Sequence, residues 1–396
     1  MRKRRSGSGI GLASSVFQVK PSQIRELADV AFTMDGVLRL QFGESDMPTP
    51  GYIKEAANRA MAEGYTFYTE NSGLPGLREA LAGKYQELHR VRLDPASEIL
   101  VTASGVQALN LSIRCLLNPG DEALLLTPNW PNAAAIVSLF AGHPREVPFL
   151  RREGRFVPDF DALESALTPR TRVLIYSSPS NPLGWVASPR DQRRLLDFCR
   201  RNGLWLLADE VYERIYYQGE AAPSILRVAD RSDAVVVVQS FSKSYCMTGW
   251  RLGWVVSRRD LISKGAQINE FIVSHAASMI QRAGELALRH RDDGIPEMVE
   301  KLRKRNEYCF QALASLDSVS VLKPAGAFYV FPAVQGLEDS FAFALALLRR
   351  HKVAVAPGVA FGRGGGGSFR ICTAPGFSVL EPAMERICRF LERGDW

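Results

Sequence analysis

Histidine is scarce in this chain, with five copies among 396 residues. None of the five stands in an H-x-x-x-H or H-E-x-x-H arrangement, the spacings that set two imidazoles on one helix face around a metal. No metal site is expected. Cysteine is also sparse. Cys115, Cys199, Cys246, Cys309, Cys372 and Cys388 form no C-x-x-C pair, and most lie in apolar surroundings. Buried free thiols in a reducing cytoplasm are the natural expectation. Long hydrophobic runs are missing too. Nothing approaches the roughly 18 apolar residues of a membrane span, and a run such as Val235 to Val238 suits a buried strand. No membrane partner is expected. The net charge is +7, but Arg2, Lys3, Arg4 and Arg5 supply four of those charges, and +3 remains without them. Ser6-Gly7-Ser8-Gly9 follows, with no apolar stretch or cleavage pattern. This argues against a signal peptide and for a disordered basic arm over residues 1–20. No basic–aromatic pattern follows the arm, so nucleic acid is not an expected partner.

What is present is an ordinary globular composition, 46% apolar and 23% charged, in a chain long enough for two domains. From Ile99 to Val256 short aliphatic runs alternate with helical stretches. The strand-like runs are Ile99–Thr102, Ala123–Thr127, Arg172–Tyr176, Leu204–Ala208, Val235–Gln239 and Trp254–Val256; helices are expected over Gly105–Leu117, Pro131–Ala141 and Pro189–Asn202. Continuous apolar strands separated by helices predict an α/β domain whose mostly parallel sheet is flanked by helices. A long helical region is expected over Asp260 to Leu316, broken near Gly294-Ile295-Pro296, and then a shorter mixture of strands and helices that reads as a smaller α+β domain. The expected division is a large domain over residues 46–290 and a small C-terminal domain over residues 291–396. Residues 21–45 are expected to form an N-terminal segment packing with the small domain.

Ligands in such sheets bind at the carboxyl ends of strands, and the polar residues gather there. Leu204–Ala208 runs into Asp209-Glu210-Val211-Tyr212. Val235–Gln239 runs into Ser240-Phe241-Ser242-Lys243, with Arg251 eight residues beyond the lysine. Arg172–Tyr176 leads to Asn181, and Ile99–Thr102 to a helix opening at Gly105. A helix N-terminus offers free N–H groups to an anion, and Ser240, Ser242 and Arg251 are further phosphate donors around a lysine. A phosphate handle plus a lysine nucleophile points to pyridoxal 5'-phosphate, whose ring nitrogen needs a carboxylate, for which Asp209 is the candidate.

Eight segments in order carry a resemblance: "GESDMPTP" (43–50), "YTENSGLPGLREAL" (68–81), "NPGDEALLLTPNWP" (118–131), "SPSNPLG" (178–184), "ADEVYERIYY" (208–217), "SFSKSYCMTGWRLGW" (240–254), "PAGAFYVFP" (324–332) and "VAVAPGVAFGRGGGGSFRICTA" (353–374). Over residues 20 to 393 the chain resembles the class I/II aminotransferases of the fold-type I pyridoxal-phosphate enzymes. The resemblance implies a homodimer with shared active sites, acting on an L-amino acid and a 2-oxo acid. It implies that Lys243 joins the cofactor covalently and moves the reacting proton, that Asp209 pairs with the ring nitrogen, and that Tyr212 and Asn181 reach the ring hydroxyl. Trp130 would stack on the ring. Gly105, Val106, Ser240, Ser242 and Arg251 would hold the phosphate, with Tyr68 reaching the phosphate of the neighbouring subunit. Arg370 would grip the substrate carboxylate by its fork, with Asn181 and the backbone at Gly43 nearby.

Plainer readings exist for single residues. Trp130 and Tyr212 could be core aromatics, and Arg251 a surface charge. "GRGGGG" resembles a phosphate loop but lacks the following Lys-Ser/Thr, so a flexible turn before Arg370 is expected. Leu183 stands where the family pattern has Thr, and Trp185 and Asn129 are expected to reshape the substrate side in favour of a large apolar, aromatic or basic side chain. In dicarboxylate-specific members a partner-subunit arginine precedes a Ser-containing turn by four residues; with Ser274-His275 as that turn, this chain holds Glu270 there, and Arg282 is the other basic candidate. A β-elimination lyase, a cyclase or a decarboxylase on the same scaffold is the alternative outcome. Arg370 favours reactions that keep the α-carboxylate. A non-catalytic regulator would need a DNA-binding segment, for which the roughly 20 residues before the match are too few.

Overall fold

The computed structural model describes residue 17, residues 21–290 and residues 294–394. The expected basic arm lies outside the described residues save for Phe17. The chain enters through α1 (Gln23–Phe32), started by the Ser22 hydroxyl accepting from the Arg25 amide, and then β1 (Leu38–Arg39). Helices α2 (Gly51–Ala62) and α3 (Pro75–His89) follow. Proline at the start of α3 loses nothing there, because first-turn amides have no intrahelical acceptor.

Seven strands build the central sheet: β2 (Ile99–Thr102), β3 (Glu122–Thr127), β4 (His143–Pro148), β7 (Thr171–Ser177), β8 (Trp205–Asp209), β9 (Val235–Ser240) and β10 (Gly253–Ser257). The hairpin of β5 (Leu150–Arg152) and β6 (Arg155–Val157) stands apart from it. The order is β2-β10-β9-β8-β7-β3-β4, and only β10 runs antiparallel to its neighbours. Helices α4 (Gly105–Leu116), α5 (Asn132–Leu139), α6 (Phe160–Ser165), α7 (Pro189–Asn202), α8 (Arg259–Glu270) and α9 (Ser278–Arg289) surround it. Consecutive strand residues face opposite ways. Val236, Val238, Leu125 and Leu207 thus pack with Leu109, Ile136 and Leu261 of α4, α5 and α8. Val235, Val237, Leu124 and Leu206 pack with Leu81, Leu195 and Ala283 of α3, α7 and α9. Both faces are covered, which is why the strands read as unbroken apolar runs.

The remaining elements are α10 (Ile295–Ala314), β11 (Val319–Ser320), β12 (Tyr329–Val330), β13 (Ala333–Val334), α11 (Ser340–His351), β14 (Val353–Ala354), β15 (Ala356–Pro357), β16 (Phe369–Cys372) and α12 (Phe377–Arg393). Their core of Leu313, Val330, Phe343, Leu347, Ile387 and Phe390 also takes in Leu27, Ala31 and Leu40, and β1 pairs in parallel with β14. Helix α10 starts in the large core with Ile295, Met298 and Leu302 and ends in this one with Cys309 and Leu313.

The helical stretch expected from Asp260 to Leu316 is three helices. Besides the break before α10, a loop over residues 271–277 separates α8 from α9. Asn269 makes that break: its carbonyl oxygen accepts from the Ser274 amide at 2.9 Å, and its side-chain amide donates to the Ser274 carbonyl at 3.0 Å. Ser274 itself sits at φ +62°. Strand β4, "HPREVP", escaped the hydrophobic pattern because it is a polar, half-exposed edge strand.

Candidate active site

A cavity of about 280 Å³ opens at the carboxyl ends of β2, β7, β8 and β9. Twelve of the thirteen expected site residues line it: Gly43, Gly105, Val106, Trp130, Asn181, Asp209, Tyr212, Ser240, Ser242, Lys243, Arg251 and Arg370. Tyr68 is not among them. It stands 90% exposed on the surface, edge-on to the His275 ring.

Lys243 follows β9 in a turn that Phe241 ties to β10 through the Leu252 carbonyl, 3.1 Å away. Its Nζ donates to the Gly43 carbonyl at 2.6 Å. Burial lowers its pKa to about 8, so a sizeable neutral fraction exists near neutral pH. Gly43 is required by packing: a Cβ there would lie 2.0 Å from the Tyr329 hydroxyl. Asp209 ends β8, and its carboxylate accepts from the Val211 amide at 3.2 Å. Burial raises its pKa to about 6, against the opposing pull of that amide and of Lys243.

The other wall is built for an anion. Ser104 caps α4 by accepting from the Gln107 amide at 3.1 Å, leaving the Gly105 and Val106 amides at the first turn, where no intrahelical acceptor exists. The Ser240 and Ser242 hydroxyls lie 2.9 Å apart. Arg251 is held at φ +57°, a left-handed conformation uncommon outside glycine, and donates to the Thr248 carbonyl at 2.5 Å.

Arg370, on β16, is 3% exposed. It donates to Asn181 Oδ1 at 2.8 Å and to the Gln41 carbonyl, and stacks over Tyr329 at 4.5 Å and Phe361 at 5.0 Å. Among the described residues its Nε has no hydrogen-bond partner, and neither has the Gln41 side-chain amide. The glycines before it are not a loose turn: a Cβ on Gly365 would lie 2.1 Å from the Gly358 carbonyl, so the run allows two backbones to touch.

Several residues at the site were not anticipated. Tyr329 sits fully buried in the cavity wall, its hydroxyl 2.5 Å from that of Tyr212. Both phenols are pushed up by burial and stay protonated. The signal lay in "PAGAFYVFP", where a tyrosine interrupts an apolar run. Gln41 and Ile24 also line the cavity; an ordinary amphipathic helix carries no mark that would single out Ile24. Trp185 corrects an expectation. It is buried against Phe149, 4.8 Å away, and Tyr176, so it belongs to the core and does not shape the substrate side. Asn129 stays behind the wall, accepting from Ser177 at 3.0 Å and from the Trp130 amide at 2.7 Å. Glu270 accepts from Asn71 at 3.1 Å beside the Tyr68 loop. Arg282 pairs with Glu285 at 2.5 Å.

These donors fit pyridoxal 5'-phosphate. A buried carboxylate held partly protonated wants an N–H or cationic partner, as a protonated ring nitrogen provides. The serines, first-turn amides and Arg251 match a phosphate.

Residues 35–387 match the family model described as aminotransferase class I and II. The chain belongs to this aminotransferase family. It is 37% identical to the aspartate aminotransferase of Pyrococcus abyssi, covering 94% of this chain and 96% of that one. It is 34% identical to aromatic-amino-acid aminotransferase 2 of Thermococcus litoralis, covering 97% and 99%. The crystal structure of an aromatic aminotransferase from Pyrococcus horikoshii superimposes with a TM-score of 0.87 at 34% identity, covering 93% of this chain and 99% of that one. These class I and II aminotransferases use pyridoxal 5'-phosphate, and the sheet with helices on both faces is their fold type I. Membership explains why the eight segments stay in register over nearly the whole chain. Among the described residues, no helix is long and apolar enough to cross a membrane and no cluster could hold a metal ion.

Proposed function

We propose that this aminotransferase carries pyridoxal 5'-phosphate on Lys243 and moves an amino group from an apolar or aromatic L-amino acid to a 2-oxo acid. The observation that carries the reading is one cavity holding the Lys243 amine, the Asp209 carboxylate and the Arg370 guanidinium. The cofactor supplies an electron-withdrawing ring that accepts the pair left when the substrate Cα–H bond breaks. Asp209 holds the site's negative charge for the ring nitrogen. Gly105, Val106, Ser240, Ser242 and Arg251 anchor the phosphate. Trp130 covers one face, and Tyr212 and Asn181 reach the ring hydroxyl. Arg370, oriented by Asn181, binds the α-carboxylate, with the Gly43 backbone beside it. Lys243, with a pKa of about 8, can take a proton from the substrate Cα and give one back. Tyr329 and Phe361, packed beneath Arg370, keep water from it. The division into a large domain over residues 46–290 and a small one over 291–396, with residues 21–45 as an N-terminal segment packing with the small domain, belongs to the same proposal, as does a place in the cytoplasm.

The side-chain preference follows from the charges. Among the described residues lining the cavity, the cations are Lys243, Arg251 and Arg370, and each has its task. Ile24, Phe42, Val106, Trp130 and Val211 make the remaining wall apolar. A buried distal carboxylate would lack a partner and lose binding. In half-reactions with one common acceptor, phenylalanine and leucine are expected to exceed aspartate in kcat/KM by roughly tenfold or more. An aspartate lead of tenfold would place another cation in the pocket and overturn the preference. Release of ammonia or carbon dioxide in place of the new amino acid would favour the lyase or decarboxylase reading.

A homodimer with shared sites completes the proposal. Phe67, Tyr68, Phe271 and Ile272 are 80, 90, 87 and 55% exposed, an apolar ridge that a second copy would cover. Light scattering is expected to give twice the chain mass. Mixing Tyr68→Phe with Lys243→Ala subunits is expected to yield hybrids with one intact site. A fully active monomer would defeat this.

A further inference from the structure

Behind the sheet, on the side away from the cavity, lies a buried cluster of charge. Glu213, Lys84, His89 and Gln239 are 2, 7, 3 and 2% exposed. One carboxylate gathers the rest. Glu213 Oε2 accepts from Lys84 Nζ and, at 2.6 Å, from Gln239 Nε2, while Oε1 meets His89 Nε2. Lys84 also lies 5.0 Å from the Tyr85 ring and 5.4 Å from the Trp254 ring, and Trp254 donates to the Tyr85 hydroxyl at 3.1 Å. Burial works to raise the Glu213 carboxyl, but Lys84 and His89 overcome it and hold the group well below the usual carboxylate range.

The neighbours of this cluster in sequence are the groups at the site. Tyr212 faces the cavity and Glu213, the next residue, faces the cluster. Gln239 faces the cluster and Ser240, the next residue, faces the cavity. The turn after β8 has its own backbone bonds, Glu213 to the Glu210 carbonyl at 2.9 Å and Ile215 to the Tyr212 carbonyl at 2.8 Å. The Glu210 amide also donates to the Val238 carbonyl of β9 at 3.0 Å, which ties the near end of the turn to that strand, but none of these bonds ties its far end there. The Glu213 carboxylate does, and Lys84 and His89 add α3. Stability is a weak reason to bury such a group, since apolar residues of similar volume often serve as well or better. A network whose members are all bonded fixes one arrangement, and a displacement of about 1 Å at reacting groups can lower a rate by on the order of 10².

We propose that Glu213 is a positioning residue for amino transfer: from behind the sheet its carboxylate clamps the turn that follows Asp209 and bears Tyr212 to the end of β9, the strand that leads into Lys243. The proposal rests on the site assignment above.

The test uses the enzyme loaded with pyridoxal 5'-phosphate. It compares wild type, Glu213→Gln and the double variant Lys84→Met/Glu213→Met, which removes both charges at similar volume. Each is measured for thermal unfolding, for kcat and KM with the preferred donor, and for the pH titration of the bound cofactor's absorbance. The double variant is expected to stay folded, with kcat lower by roughly 10- to 100-fold, KM within about threefold and the titration midpoint moved by about half a pH unit or more. Glu213→Gln keeps hydrogen-bonding capacity and should show the same change to a smaller degree. A folded double variant with wild-type kcat and titration midpoint overturns the proposal. So does failure of both variants to fold, which would make the cluster a requirement of folding alone. A wild-type protein that binds no cofactor at Lys243 defeats the site assignment instead, and is seen before any variant is compared.

Discussion

Lys243→Ala is expected to abolish covalent uptake of pyridoxal 5'-phosphate and to lower kcat by on the order of 10⁴. One amine is asked to do two things, to bond the cofactor's aldehyde and to carry the reacting proton, and among the described residues no other lysine lines the cavity. Its burial serves both. With a pKa of about 8, the neutral form that attacks an aldehyde is already present at pH 7, where an exposed lysine would be almost wholly charged. The rate of uptake by cofactor-free protein should therefore rise with pH through about 8 and then level off. Borohydride reduction followed by peptide mapping should find the label on the peptide holding Lys243. A label on another lysine, or a rate that keeps climbing towards pH 10, would sink the assignment.

The strand ends were legible in the sequence because the sheet is covered on both faces. Each strand is mainly an apolar run, and its polar end lies at the rim, as Asp209 at the end of Trp205–Asp209 and Ser240 at the end of Val235–Ser240 do. Arg370 came from the family resemblance, and its surroundings give the physical reason it is fixed there. A charge inside "SFRICTA" has to be buried, and a buried guanidinium has to be answered by acceptors, here Asn181 and Gln41. Family resemblance then supplied the roles that pattern alone left open.

What stayed hidden depends on contacts between segments far apart in the chain. Trp185 looked as if it belonged to the substrate side because it follows the Asn181 turn closely. Four residues beyond Asn181, however, the chain has already returned to the core, and the indole packs on Phe149 and Tyr176. Tyr329 comes from β12, 117 residues beyond the Tyr212 it touches, and no local spacing announces such a meeting. The Glu213 cluster was hidden in the same way. "ADEVYERIYY" displays two glutamates within four residues, and only the fold reveals that Glu213 finds Lys84, His89 and Gln239. The loop after Glu270 ended a helix that propensity would have continued, because the Asn269 side chain closes it from within.

Asp209→Asn should have opposite effects on catalysis and on the stability of the cofactor-free protein. In the loaded enzyme the carboxylate is the fixed negative charge opposite the ring nitrogen, and removing a preorganised group of this kind lowers kcat by on the order of 10² to 10³. In the cofactor-free protein the same carboxylate is a liability. Burial raises its pKa from the ordinary 3.8 to about 6. The folded chain then binds the proton more tightly than the unfolded chain does. Stability falls as pH rises from about 4 through 6, and above that the buried charge costs at most about 3 kcal/mol. Asparagine has the same shape and no charge to bury. Cofactor-free Asp209→Asn should therefore melt several degrees above cofactor-free wild type at pH 8, and most of the gap should be gone by about pH 4, where the folded wild-type group is protonated and the buried charge is absent. Saturating both proteins with cofactor should reverse the order, because the wild-type carboxylate gains its partner and the asparagine does not. Calorimetry at pH 4, 6 and 8 with and without pyridoxal 5'-phosphate reads all of these differences. A cofactor-free variant that melts no higher than wild type at pH 8 would mean that Asp209 is already well compensated within the protein. Its reason for being buried at the end of β8 would then have to be sought elsewhere than in the ring nitrogen.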